Sequence, residues 1–360
     1  MNTKLAENLL CFQELQHFGN SHFLYLHTLQ ILQRRGQVIA GSARHRDSGS
    51  LSDCLSDIRL WDISTGRQSL RFGREDEVFS ALSVSTDENL ALTAGYTEGI
   101  VSERPMRLWN LTDASIVRDF EKTPYSDCST FSTCDKYALS GHTDGLVHLW
   151  DVASGKILKT LTGHIENIIG VAFTPDGRYG LSACLREYVC IWDLSSGKLV
   201  ERFGGSSSGA GEVSFSGNGS FVAFSGSVCF DEMDKVEEEA CVSDDFEIPP
   251  EIIRYEAAKR ENSVRIWDID KRKEHVRLRT TNNMGGTQGG CHIEINYNGT
   301  LGISYSDGYT HLWDITRGVE IGRLDKYTSH AHFSRDGSQV LTGSSTYGFC
   351  LYALTSTLVL

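Results

Sequence analysis

Proline is scarce in this chain, 5 in 360 residues, and the 10 cysteines include no C-x-x-C pair. With so little proline and 35 glycines, the composition suits short strands joined by tight turns. Scattered cysteines exclude a secreted disulfide framework and read as reduced thiols, so a cytoplasmic location is expected. Cys184 and Cys190 could face each other across a hairpin, although antiparallel neighbours rarely meet disulfide geometry. Bases are also short: 34 Lys and Arg against 47 Asp and Glu leave a formal charge of −13. That balance argues against nonspecific binding to nucleic acid or to an anionic membrane. No long apolar run is present. Leu24 to Leu32 carries His27 and Gln30 and is too short to span a bilayer. Met1 to Leu15 does not fit a secretory signal, because Glu7 interrupts it and no small-residue cleavage site follows.

What is present is repetition. Ile58-Arg59-Leu60-Trp61-Asp62, Met106-Arg107-Leu108-Trp109-Asn110, Val147-His148-Leu149-Trp150-Asp151, Val189-Cys190-Ile191-Trp192-Asp193, Val264-Arg265-Ile266-Trp267-Asp268 and Thr310-His311-Leu312-Trp313-Asp314 use all 6 tryptophans. Their spacings are 48, 41, 42, 75 and 46 residues, drifting around the roughly 40–45 of one four-stranded blade. One unit is legible in full. Ile168 to Thr174, Tyr179 to Cys184, Tyr188 to Leu194 and Leu199 to Phe203 alternate as strands a to d. The a–b turn Pro175-Asp176-Gly177 and the c–d turn Ser195-Ser196-Gly197-Lys198 separate them.

A seventh unit lacks tryptophan and places Tyr352 at its position, 39 residues after Trp313. It runs out after Leu354 with little room for an outer strand, whereas an orphan apolar segment, Asn8 to Phe18, precedes the first unit. That segment is expected to complete the last blade and close the ring, which removes exposed sheet edges. The expected fold is therefore all-β: one seven-bladed β-propeller domain over 1–360.

These Trp-Asp units resemble the WD-repeat family, whose fold is a β-propeller and whose usual role is to hold other molecules together. The resemblance implies a buried tetrad of His, Ser, Trp and Asp in each blade. No blade here carries all four. The fourth has His164, Ser182 and Trp192 but Arg186 in place of the acid. The third has Ser140, Asp144 and Trp150, and the sixth Ser304, Asp307 and Trp313, both without the histidine.

Insertions interrupt the repeats between strands b and c at about 44–57, 96–105 and 229–262. The last accounts for the long gap, and its Asp231 to Glu251 stretch holds 10 acids against one base, Lys235. This reads as a solvated loop or as a docking element for a basic partner surface; the oxygen spacing and glycine of a calcium loop are missing. Ile248-Pro249-Pro250 followed by Glu251 to Arg260 favours a short helix.

Several constellations imitate chemistry. Gly205-Ser206-Ser207-Ser208-Gly209 matches a nucleophile elbow in letters but leads into a strand, not a helix. Arg34-Arg35 is similar to the arginine pair of phosphoinositide-binding propellers, yet it occupies the ordinary a–b turn of the first blade. His330 and His332 share a face, but no third ligand accompanies them, and zinc needs at least three. No catalytic residue, metal or cofactor is expected. The function expected is a non-catalytic scaffold presenting loops to partner proteins or peptides. The alternatives are a regulatory module for a separate kinase or NTPase effector, or a propeller enzyme with a channel metal. Arg and Tyr are favoured interface anchors. The candidate partner-binding residues, on the face of b–c and d–a loops, are Arg186, Glu187, His142, Thr143, Tyr96, Tyr305, Tyr347, Arg44 and Arg46.

Overall fold

The alternating pattern resolves into 28 strands, β1 to β28, sorted into seven antiparallel sheets of four. Blade one is β2 (Tyr25–Leu32), β3 (Gln37–His45), β4 (Cys54–Asp62) and β5 (Gln68–Phe72). Blade two is β6 (Val78–Val84), β7 (Leu90–Tyr96), β8 (Arg104–Asn110) and β9 (Ile116–Thr123). Blade three is β10 (Ser126–Phe131), β11 (Tyr137–His142), β12 (Val147–Asp151) and β13 (Lys156–Leu161). Blade four is β14 (Ile168–Phe173), β15 (Tyr179–Cys184), β16 (Tyr188–Asp193) and β17 (Lys198–Gly204). Blade five is β18 (Ala210–Phe215), β19 (Phe221–Gly226), β20 (Ser263–Asp268) and β21 (Lys273–Arg279). Blade six is β22 (His292–Ile295), β23 (Leu301–Ser306), β24 (Tyr309–Asp314) and β25 (Val319–Leu324). Blade seven takes β26 (His330–Phe333), β27 (Gln339–Ser344) and β28 (Gly348–Thr357) from one end of the sequence and β1 (Leu9–Phe18) from the other.

This computed structural model describes residues 9–18, 25–45, 54–73, 78–96, 104–123, 126–185, 188–204, 210–226, 263–279, 292–306, 309–324, 328, 330–344 and 348–357. The 205–209 motif, the acidic stretch of 229–262 and the helix expected near 251–260 lie outside them.

The first strand of each blade packs beside the first strands of both neighbours, β26 beside β2 included, so the seven sheets form a closed seven-bladed β-propeller. Closure uses the N-terminal strand as expected: β1 pairs with β28 from Leu9↔Thr357 to Phe18↔Phe349. Tyr352 lies opposite Val340, as Trp192 lies opposite Gly180 and Trp150 opposite Ala138. In the other six blades the c–d ladder shifts register immediately before the tryptophan. The β1–β28 ladder shifts between Glu14 and Gln16, where it passes Tyr352. A bulge of this kind bends the strand, here at the same place in each repeat. It marks β1 as a true outer strand.

Packing between blades follows one rule. The final apolar residue of an outer strand buries against the tryptophan of the next blade. Phe18 shares a core with Trp61, Phe72 with Trp109, Phe120 with Trp150, Leu161 with Trp192, Phe203 with Trp267 and Leu278 with Trp313. Ring centroids are 5.1 Å apart for Phe72–Trp109 and 5.5 Å for Phe120–Trp150, a range in which aromatic pairs add about 0.5–1.5 kcal/mol beyond area burial.

The a–b turns all place their third residue at positive φ: Gly36, Glu88, Asp135, Gly177, Gly219, Gly299 and Gly337, between 59° and 73°. In two blades a carboxylate residue therefore sits in a conformation that glycine adopts freely. Both earn that place through bonds to a neighbouring blade. Glu88 Oε2 accepts from Arg35 N at 3.0 Å, and Asp135 Oδ1 accepts from Thr86 N at 2.8 Å.

Candidate interaction face

The wheel has two unlike faces. On the face of the a–b turns, polar groups are used to bond blade to blade. Arg35 donates to Glu88 O and to Leu111 O. Thr133 donates to Pro175 O, Asn218 to Tyr297 O and Asn298 O, and Gln33 bonds Asp336. Arg335 lies over the Tyr297 ring at 5.1 Å. This explains Arg35 of the Arg34-Arg35 pair structurally: its guanidinium is a latch between blades one and two.

The opposite face carries the b–c and d–a connections. It is best described between blades three and four, where the b–c hairpin 142–146 meets the d–a segment 162–167. Two hydrogen-bonded chains run beneath it. In blade four, Trp192 Nε1 donates to Ser182 Oγ at 2.8 Å, and Ser182 Oγ lies 2.7 Å from His164 Nε2. In blade three, Trp150 Nε1 donates to Ser140 Oγ at 2.8 Å, which lies 2.7 Å from His142 Nε2. Blade three thus has a histidine after all. It comes from strand b, two residues beyond the serine, because side chains two apart on a strand share a face. His148 meets the His142 ring edge-on at 4.6 Å and the Trp150 ring edge-on at 5.7 Å, and its Nδ1 lies 3.0 Å from Thr160 Oγ1. Burial, with the His142 ring beside it, holds the His148 pKa down to about 4. Burial, with the Arg202 charge in range, does the same for His164.

Other blades vary the chain. Trp109 Nε1 donates to Thr93 Oγ1 and Trp313 Nε1 to Ser304 Oγ. In blade five Phe224 stands where the serine would be, and the buried Trp267 Nε1 has no partner among the described residues.

The structure sorts the expected partner-binding residues. His142 and Tyr305 are corrections, being 0% and 5% exposed. His142 points inward to Ser140, and Tyr305 packs with Ala331 and Phe333 in the core between blades six and seven. Strand alternation turned both inward, although each follows the strand-b position that precedes a loop. Thr143 is half-buried in the hairpin. Arg44 is not in a loop: β3 continues through it, opposite Leu55. Tyr96 ends β7 opposite Val78. Arg46, Arg186, Glu187 and Tyr347 lie outside the described residues. A residue the sequence left unremarked stands out instead. Ile165, in the d–a segment, is 78% exposed.

Among the described residues no group of three or more His, Cys, Asp and Glu side chains stands close enough to hold a metal. On the first strands of blades six and seven, His332 Nε2 lies 3.7 Å from Glu294 Oε1, and that oxygen accepts from Phe333 N. Cys184 and Cys190 do not face each other. Cys184 lies opposite Ile168, and Cys190 lies opposite Ser182 with its Sγ 3.8 Å from His164 Nδ1. No helix among the described residues is long and apolar enough to cross a membrane.

Comparison with known proteins agrees with this geometry. The family profile described as "WD domain, G-beta repeat" matches residues 121–151 and 155–193, which span the two tryptophan–serine–histidine chains. The chain is similar to Autophagy-related protein 16 of Arabidopsis thaliana, 24% identical over 39% of this chain and 27% of that protein. It is 29% identical to Transcription initiation factor TFIID subunit 5 of Caenorhabditis elegans over 34% of this chain and 18% of that protein. It is 27% identical to GID complex subunit 7 of Schizosaccharomyces pombe over 33% of this chain and 23% of that protein. The matched segment is a minor part of each of these relatives.

Proposed function

This chain belongs to the WD-repeat β-propeller family, and from that premise we propose that it is a non-catalytic, cytoplasmic scaffold whose b–c and d–a loops capture partner proteins or peptides. The observation that carries the reading is the closed ring. Seven sheets locked by β1 make a rigid support, and loops on rigid supports are where recognition residues sit. The a–b turns spend polar groups on their neighbours, which leaves the other face for partners. Two of the relatives are named as subunits of larger assemblies, a transcription initiation factor and the GID complex, and that supports a role in assembly.

A basic partner fits the net charge of −13 and the acids of 229–262. Burial pushes the Cys128 and Cys190 thiols up to about 12. We assign the capture to Arg186, Glu187, Thr143, Tyr96, Tyr347, Arg44 and Arg46. Affinity purification from native cells, with mass spectrometry, compares the wild type with Arg186→Glu/Tyr347→Ala. The double variant should lose the partner while keeping its Tm. Equal recovery of the partner by both proteins moves the site elsewhere.

A further inference from the structure

We infer that the rim of blades two, three and four is a second docking surface, and that it receives an acidic polypeptide segment carrying spaced apolar side chains. This surface lies on the outermost strands of the blades, not on the b–c and d–a loops.

Five large apolar side chains stand exposed on those strands: Ile116 and Val117 on β9, Leu158 on β13, and Leu199 and Val200 on β17. Each is between 41% and 53% exposed. Val117, Leu158 and Val200 are the residues passed over where the c–d ladder shifts register beside the tryptophan. The fold does not need an apolar group at that bulge, since blade one has Ser69 there and blade five His275. A bulge also blunts a sheet edge against a further strand. The bound segment therefore lies across the strands and does not extend a sheet.

Tertiary contacts join the three strands into one strip. Arg118 covers the c–d turn of blade three: a Cβ at Gly155 would come within 2.8 Å of its Cδ, and it donates to Ser154 O at 3.5 Å. Lys159 covers the c–d turn of blade four in the same way, its Cδ 3.1 Å from a Cβ at Gly197. In both turns the glycine is followed by an exposed lysine, Lys156 or Lys198. Two cations are thus brought to each junction. Around the rim the order is Ile116 and Val117, a cation pair, Leu158, a second cation pair, then Leu199 and Val200. Other junctions are filled differently. Glu201 pairs with Arg272 between blades four and five, Val276 covers Gly318 between five and six, and Gln16 covers Gly66 between seven and one.

Charge chooses the partner, because the acids of the strip are already engaged. Asp119 holds Arg107, Glu121 accepts from Ile157 N, and Glu201 holds Arg272. Asp113 accepts from Ser115. Asp151 and Asp193 lie opposite Lys156 and Lys198 in their ladders, yet they are turned to Ser154 and to Ser195 and Ser196. Arg118 is near enough to Asp151 to favour its ionised form. Among the described residues Lys156, Lys159 and Lys198 form no ion pair. On such a strip apolar contact supplies the area, and the ammonium groups select a segment bearing Asp or Glu between its apolar residues.

The test is fluorescence anisotropy with the full chain and four labelled peptides: glutamate-rich with leucines, glutamate-rich without, lysine-rich with leucines, and neutral polar. The first should bind about tenfold or more tighter than the others, the scale of burying one aliphatic side chain. Leu158→Ser/Val200→Ser and Lys156→Glu/Lys198→Glu should each weaken it by about tenfold, on the same scale. Their Tm should not move, because all four side chains are exposed. Val319→Ser, at an exposed site on blade six, should change nothing. Arg186→Glu/Tyr347→Ala should bind the peptide as wild type does, so the rim and the loops are read separately. Tightest binding of another peptide, binding of none, or insensitivity to either rim variant overturns the inference. So does loss of the peptide in Arg186→Glu/Tyr347→Ala, which would place it on the loops. A dimer in sedimentation that Leu158→Ser/Val200→Ser dissolves would assign the strip to a second copy of this chain and overturn it too.

Discussion

Ser140 and His142, two residues apart on one strand, form the same 2.7 Å contact that Ser182 makes with His164 across 18 residues of sequence. Two routes through the chain thus deliver one arrangement: indole to hydroxyl to imidazole. The serine oxygen accepts from the indole N–H, and with a second lone pair and its own proton it can serve the imidazole nitrogen in either direction. Both chains lie at the junction that supports Ile165, so the rigidity of the face is tied to buried polar groups there.

The tryptophans should respond unequally to the loss of their N–H. Trp192→Phe leaves Ser182 and His164 without their buried donor and should cost about 1–3 kcal/mol. Trp267 has no partner for its Nε1 among the described residues, because Phe224 fills the serine position. Trp267→Phe removes a buried donor that gains nothing, so its change should be small, within roughly 0.5 kcal/mol in either direction. Urea midpoints of the two variants measure this. Equal losses would show that the indole bond contributes nothing particular in blade four.

Acid should loosen the wheel before it titrates the turns. The pKa values of His148, His164 and His332 are each lowered by burial from 6.5 to about 4. A folded value below the unfolded one means that protons bind the unfolded chain more readily. Stability is therefore complete above pH 6.5 and falls as pH drops from there through about 4, by a total on the order of a few kcal/mol. Asp193, held at about 2 by the Ser195 hydroxyl and the Ser196 amide, should lose its contribution only at lower pH. Denaturant midpoints measured across pH 4 to 6.5 report the effect, and His164→Gln should reduce the slope. A flat profile contradicts it.

Removing residues 1–18 should destabilise the whole ring, not one blade. Without β1, the 0%-exposed Phe18 no longer covers Trp61 and Phe349 in their common core, and β28 gains a bare edge. Calorimetry on the truncated chain should show one transition at a clearly lower Tm. A truncated protein that melts like the full chain would refute closure by β1.

The blade count, the a–b turns and the closing strand were legible because each is a local pattern repeated at one spacing. Strand boundaries in blade four fell within a residue of those expected. The sequence carries a further periodic signal. Phe72, Phe120, Leu161, Phe203, Leu278 and Leu324 each follow a tryptophan by 11 residues, and five of them cover the tryptophan of the next blade. The site was less legible. Tyr305 and His142 look like loop decoration in the sequence, and their inward direction depends on where the strand ends.

By itself the sequence determined the repeat: alternation sets the strands, the a–b turn residues, glycine in five blades with Glu88 and Asp135 in the other two, set the turns, and the tryptophans set the spacing. These are decided within a few residues, so the local chain suffices. Which blade touches which was decided only by tertiary structure, together with Arg35 as a latch, His142 in place of a missing loop histidine, and Ile165 left uncovered. Each depends on groups brought together from distant parts of the chain, and burial there is a property of the closed wheel.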